Sequence, residues 1–74
     1  MDEAQLLIRL GDAIRRRRVA LGISQERFAD SIRMHRAQYS KVERGERNVT
    51  VLTLHRVAIG LGTTSARILA MAKL

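Results

Sequence analysis

Ser24-Gln25-Glu26-Arg27-Phe28-Ala29-Asp30-Ser31-Ile32-Arg33-Met34-His35-Arg36-Ala37-Gln38-Tyr39-Ser40-Lys41-Val42-Glu43-Arg44-Gly45 reads as two short helices separated by a turn. Ser24 offers a hydroxyl to the first free amides of a helix of about eight residues, and Glu26 sits where the helix dipole favours an anion. Phe28, Ala29 and Ile32 share one face of it. After the turn at Arg33 and Met34, a helix from about Arg36 to Arg44 points Tyr39 and Val42 inward and stops at Gly45. Its other face is polar.

Outward from this pair the helical period continues. Leu7, Leu10, Ile14 and Leu21 form a stripe on a preceding helix from about Ala4 to Leu21, closed by Gly22 as a left-handed cap. Residues 45–49 form a loop, and Thr50 caps a fourth helix with Val51, Leu54, Val57, Ala58 and Leu61 at core spacing. Gly62 ends it. Thr63 to Ser65 begin a short fifth helix carrying Ile68, Leu69 and Ala72, expected to cover the open end of the core. Pro is absent and no β-like alternation occurs, so the expected fold is all-α, five helices in one domain spanning residues 1–74.

Fourteen Lys and Arg face seven Asp and Glu, a net charge of +7 that favours a polyanionic partner, nucleic acid ahead of an anionic membrane. Twelve of the fourteen are Arg, whose planar fork grips phosphate and guanine bidentately. One Tyr and one Phe provide no platform for stacking single-stranded bases. Without Cys there is neither a disulfide nor a thiolate metal site, and His35 and His55 are the only imidazoles, so no catalytic set is present. Glu26 and Asp30, four residues apart, can face a cation, but solvated charges are the plainer reading. No enzyme activity, cofactor, metal or small-molecule substrate is expected. The acidic start at Asp2 and Glu3 and the lack of an apolar run near ~20 residues point to a cytoplasmic chain that does not enter a membrane.

Two short helices joined by a tight turn, the second with a polar outer face, are the unit that sets one helix in a DNA major groove. The residues are more specific than the pattern. Leu21-Gly22-Ile23-Ser24-Gln25-Glu26-Arg27-Phe28-Ala29 and Tyr39-Ser40-Lys41-Val42-Glu43-Arg44-Gly45-Glu46-Arg47-Asn48 resemble the Cro/repressor-type helix-turn-helix family, also called the xenobiotic-response-element (XRE) family. The resemblance runs from about Leu10 to Leu69. It implies a five-helix, lambda-repressor-like domain that binds operator DNA as a homodimer and regulates transcription. Small members include phage Cro-like repressors and restriction-modification controller proteins, and the Arg-rich first helix with the Glu-Arg-Gly-Glu-Arg-Asn loop leans toward the controllers.

A helix fits the roughly 12 Å major groove with the residues near its start closest to the base edges. Arg36, Ala37 and Lys41 are therefore the expected base contacts, positions that also match the family's base readers, and Gln38 beside them can pair with adenine. Phosphate contact or simple solvation is the alternative for Arg36 and Lys41. Ser24 and Gln25 stand at a helix start where free amides and a side-chain amide hold a phosphate, the use the family makes of this Gln. The resemblance makes Arg44, Arg47 and Asn48 phosphate or flanking-base contacts. It also aligns Arg18 with an Arg that pairs with the Glu near the end of the reading helix, here Glu43; two independent surface charges are the alternative.

Arg15 to Arg18 cannot act as one patch, because successive helical residues diverge by about 100°. Arg15 and Arg16 are phosphate-facing or solvated, and the Arg17 stem is expected to lie over the core. Arg33 stands where the family turn prefers a left-handed Gly, at a cost on the order of 1 kcal/mol. His35 replaces the usual cap of the reading helix. Gly60 inside the fourth helix marks either the close approach of another backbone or a break. Leu52, His55 and Ile59 recur on the side of that helix away from its core stripe, with Met71 and Leu74 as further apolar surface. They read as a homodimer interface, with a broader monomer core as the alternative. A rival reading of the whole chain is an antitoxin or protein-binding adaptor in which DNA binding is secondary, and membrane binding by the first helix is disfavoured because the core needs its apolar stripe.

Overall fold

The computed structural model describes residues 1–74 and contains five helices: α1 (Glu3–Ala20), α2 (Gln25–Ser31), α3 (Arg36–Arg44), α4 (Val51–Gly60) and α5 (Ser65–Met71). Four of the five starts are capped by a side chain. Ser24, Thr50 and Thr64 each accept from the amide three residues on, as their hydroxyls allow. Asp2 caps α1 in a reciprocal box, its Oδ1 accepting from the Gln5 amide at 2.8 Å while Gln5 Oε1 accepts from the Asp2 amide at 3.1 Å. That box starts α1 one residue earlier than the apolar stripe suggests. His35 makes no side-chain bond at the start of α3.

Fourteen apolar residues form one core drawn from all five helices. Tyr39 and Phe28 are its largest members, with ring centroids 5.1 Å apart and planes tilted by 57°. α1 lies against α3 and α5, α2 against α3, and α4 against α5. The α1–α3 contact depends on Gly11: a Cβ there would stand 2.4 Å from the Val42 carbonyl oxygen and 2.5 Å from that of Glu43. Only a residue without a side chain lets the two backbones meet so closely. Gly45 ends α3 in the left-handed region at φ 71°, and a Cβ on it would lie 2.7 Å from Ile8 Cα.

Three apolar residues depart from their expected places. Leu7, half-buried, lies outside the core cluster. Leu21 is exposed because α1 ends at Ala20, so its side chain leaves the stripe as the chain turns into Gly22 at φ 72°. Val51 has inward periodicity but is 81% exposed, beside Leu52 at 79%: the core reaches Leu54 in the first turn of α4 and leaves these two uncovered. Helical spacing fixes a direction, and burial additionally needs a neighbour. At Gly60 the close approach comes from side chains and not from another backbone: a Cβ there would lie 2.6 Å from Ile32 Cγ2 and 3.1 Å from Phe28 Cε1. Arg17 is half-buried and donates from Nε to the Leu61 carbonyl at 3.1 Å, just beyond the end of α4.

Candidate nucleic-acid interface

α3 is held by its inward side chains and presents the others. Tyr39, Val42 and Glu43 are buried, while Arg36, Ala37, Gln38, Lys41 and Arg44 are exposed along one arc. Glu43 is the anchor. Arg18 of α1 grips its carboxylate by two bonds, Nε to Oε2 at 2.6 Å and Nη2 to Oε1 at 3.0 Å, and spends Nη1 on the Ile23 carbonyl at 2.7 Å. The Tyr39 hydroxyl donates to the same Oε2, and Gln25 Nε2 donates to Oε1 at 2.9 Å. With side-chain exposures of 10% for Arg18 and 1% for Glu43, this is a buried, fully satisfied ion pair.

Its electrostatics follow from that geometry. Burial pushes the Glu43 carboxyl up, but the hydrogen bonds from Arg18, Tyr39 and Gln25 outweigh it and hold the group below the usual carboxylate range. Burial, then the bond to the Glu43 carboxylate, pushes the Tyr39 phenol far above its ordinary value. The hydrogen bond to Glu43 raises Arg18 further against its burial. Through this cluster α1, the start of α2 and the end of α3 become one rigid frame.

Gln25 thereby lines a cleft of about 330 Å³ with Glu26, Arg36, Ala37 and Ser40, so the start of α2 and the start of α3 open on the same side. Ser24 keeps its hydroxyl on the Arg27 amide at 3.1 Å. Arg44 is tied along its own chain, to Glu46 at 2.6 Å and to Ser40 Oγ at 2.7 Å. Arg47 and Asn48 follow Gly45 with exposed side chains. Asp30 does not join Glu26 as a cation site; its carboxylate is engaged by Arg36. Arg33 takes φ 55°, the left-handed conformation that the turn imposes. Arg16 turns away from the arc, pairing with Asp12 at 3.0 Å and donating to the Met71 carbonyl at 3.4 Å.

Leu52, His55 and Ile59 lie outside the core and, with Ser31, Ile32, Arg56 and Gly60, line a separate depression of about 520 Å³. At 79% and 60% exposure, Leu52 and Ile59 are no part of a broader monomer core.

Sequence reasoning missed three participants. The i,i+4 spacing of Tyr39 and Glu43 on α3 was the available signal for the phenol's role. Gly11, at the centre of an otherwise strong helix, was the signal for the tight α1–α3 contact. The Asp30–Arg36 pair had none, because its six-residue separation spans a turn.

An outward polar arc on a helix clamped through Glu43 to the helix before the turn is the frame of a helix-turn-helix protein. The family described as Helix-turn-helix matches residues 14–68, and the chain belongs to this XRE-type family. It is 40% identical over 58 residues to the control protein C.MunI from a Mycoplasma species, an overlap covering 77% of this chain and 78% of that one. Among solved structures it is similar to the clp gene regulator ClgR from C. glutamicum, with a TM-score of 0.87, 31% identity, and coverage of 92% of this chain and 88% of that one. The restriction-modification controller C.Esp1396I, solved as a tetramer in complex with its natural 35-base-pair operator, matches with a TM-score of 0.83 at 28% identity, covering 92% and 90% of the two chains. No helix is long and apolar enough to cross a membrane.

Proposed function

We propose that this protein is a transcription regulator of the restriction-modification controller type, a cytoplasmic homodimer that reads a roughly palindromic operator through α3. The observation that carries the reading is the outward arc of Arg36, Ala37, Gln38 and Lys41 on a helix fixed from behind by the buried Glu43 cluster. Arg36 pairs with guanine, Lys41 one turn later reaches the same groove, the Ala37 methyl meets a thymine methyl and Gln38 serves an adenine. Ser24, Gln25, Arg44, Arg47 and Asn48 hold the flanking phosphates, which set register without sequence information. The exposed Leu52, His55 and Ile59 stripe supports dimerisation, since a small monomer gains nothing by showing such a surface to water. Two-fold symmetry would place the two copies of α3 in successive major grooves about 34 Å apart. The relatives' printed roles as a control protein, a gene regulator and an operator-bound controller support the same class.

Selection of bound duplexes from a random pool, with sedimentation to count subunits, tests this. The expected result is an inverted-repeat consensus and a dimer that Ile59→Glu converts to monomer. Arg36→Ala should weaken operator binding roughly five- to 150-fold and relax one base position, whereas Arg47→Ala should lower binding to all duplexes and reduce the salt slope by about one. Equal competition by scrambled and selected duplexes would refute the reading.

A further inference from the structure

Asp30 and Arg36 belong to different helices of the reading unit and meet on its surface. Arg36 Nε donates to Asp30 Oδ1 at 3.2 Å, and Nη2 donates to Oδ2 at 2.7 Å. Both side chains are more than half exposed, 61% and 56%, so in water the pair contributes almost nothing to folding. Its consequence is orientation. The carboxylate occupies the Nε and Nη2 edge of the guanidinium and leaves open the edge carrying one Nη1 hydrogen and the second Nη2 hydrogen. Two parallel donors of that spacing are what the O6 and N7 acceptors of guanine require. Arg36 is thus gripped by its side and free at its tip.

We propose that Asp30 is a specificity-determining positioning residue that presents the tip of Arg36 to a guanine of the operator, an inference that rests on α3 being the base-reading helix. An arginine without this partner can swing to a phosphate, which gives affinity without sequence information. Asp30 opposes that exchange in two ways: it anchors the side chain by its Nε and Nη2 edge so that the tip cannot swing freely, and its charge opposes the approach of phosphates. Glu26, which lines the same cleft as Arg36, adds a second anion with the same effect. Once DNA excludes water from the cleft, the pair strengthens as the local dielectric falls.

The test uses the full chain and the selected operator, with binding measured by fluorescence anisotropy at fixed salt. Duplexes carry either guanine or 7-deazaguanine at the base pair that Arg36→Ala identifies, and a random duplex reports non-specific affinity. Arg36→Ala abolishes the guanine preference. Asp30→Asn is expected to cut it about two- to tenfold, the lower part of the range over which contacting residues couple, while random-duplex binding stays level or tightens. Asp30→Glu, which keeps the carboxylate, restores part of the preference, and Asp30→Asn adds nothing in the Arg36→Ala background. An Asp30→Asn protein with undiminished preference, or one losing operator and random binding by the same factor, overturns the proposal while α3 remains the reader. If Arg36→Ala leaves the preference intact at every base pair, the reading of α3 falls and this inference with it. The melting temperature of Asp30→Asn should match the parent's, which separates positioning from folding.

Discussion

Replacing Glu43 by Ala should cost more stability than any other single surface-to-core change in the reading unit. Four donors converge on its carboxylate: two from Arg18, one from Tyr39 and one from Gln25. The substitution leaves the Arg18 guanidinium, 10% exposed, with the Ile23 carbonyl as its remaining partner. Breaking a buried pair by removing one member costs about 3–5 kcal/mol, because the other charge stays desolvated. A 74-residue domain has roughly 4–11 kcal/mol of stability in total, so Glu43→Ala would remove from about a quarter of it to all of it. At about 4–8 °C per kcal/mol for a domain of this size, even the smaller loss lowers Tm by roughly 12–24 °C. Thermal and urea unfolding followed by far-ultraviolet circular dichroism measure it. Arg18→Met with Glu43→Leu removes both charges and should recover much of the loss, and adding Tyr39→Phe removes the orphaned hydroxyl and should recover more. The same carboxyl gives the fold an acid limit. Its folded-state pKa lies below the ordinary 4.5, so its stabilisation is complete above that value and fades as pH falls through the depressed one. A Glu43→Ala cost under about 1 kcal/mol, or a double variant no more stable than the sum of the single losses, would refute this account.

The alkaline side has its own probe, because Tyr39 is the only tyrosine. Its phenol is raised above the ordinary 10.0, so the stabilisation it gives is present below about pH 10 and is lost as pH climbs; tyrosinate absorbance should therefore appear together with loss of helix, and its appearance in a still-folded chain would contradict the Glu43 bond. Gly11→Ala improves helix propensity by about 1 kcal/mol yet should destabilise the protein by about 1–3 kcal/mol net, since the new methyl meets backbone oxygens that cannot step aside. A rise in Tm for that variant would mean α1 and α3 are packed less closely. Arg33→Gly should raise stability by about 1 kcal/mol by relieving the left-handed turn, and His35→Ser should add about 1 kcal/mol by capping α3, both read from urea midpoints.

Much of the architecture was legible because its signals are local. Ser24, Thr50 and the glycines after α1, α3 and α4 mark starts and stops through backbone amides and left-handed turns, and the 3.6-residue period marks inner faces, so α2, α3 and most of α4 follow from neighbouring residues alone. The candidate reading arc followed for the same reason: once Tyr39 and Val42 face inward, Arg36, Ala37 and Lys41 must face out. Val51 escaped this logic, since its burial depended on an element from elsewhere in the chain that does not reach it.

What only the tertiary structure decided is which charges are spoken for. Twelve arginines look alike in a sequence. Packing buries one against Glu43, lays another along the end of α4, turns Arg16 toward α5 and holds Arg36 from the side by Asp30. Those assignments depend on distances between helices that no periodicity encodes, because an ion pair forms where backbones bring two side chains within about 4 Å and the water around them is displaced.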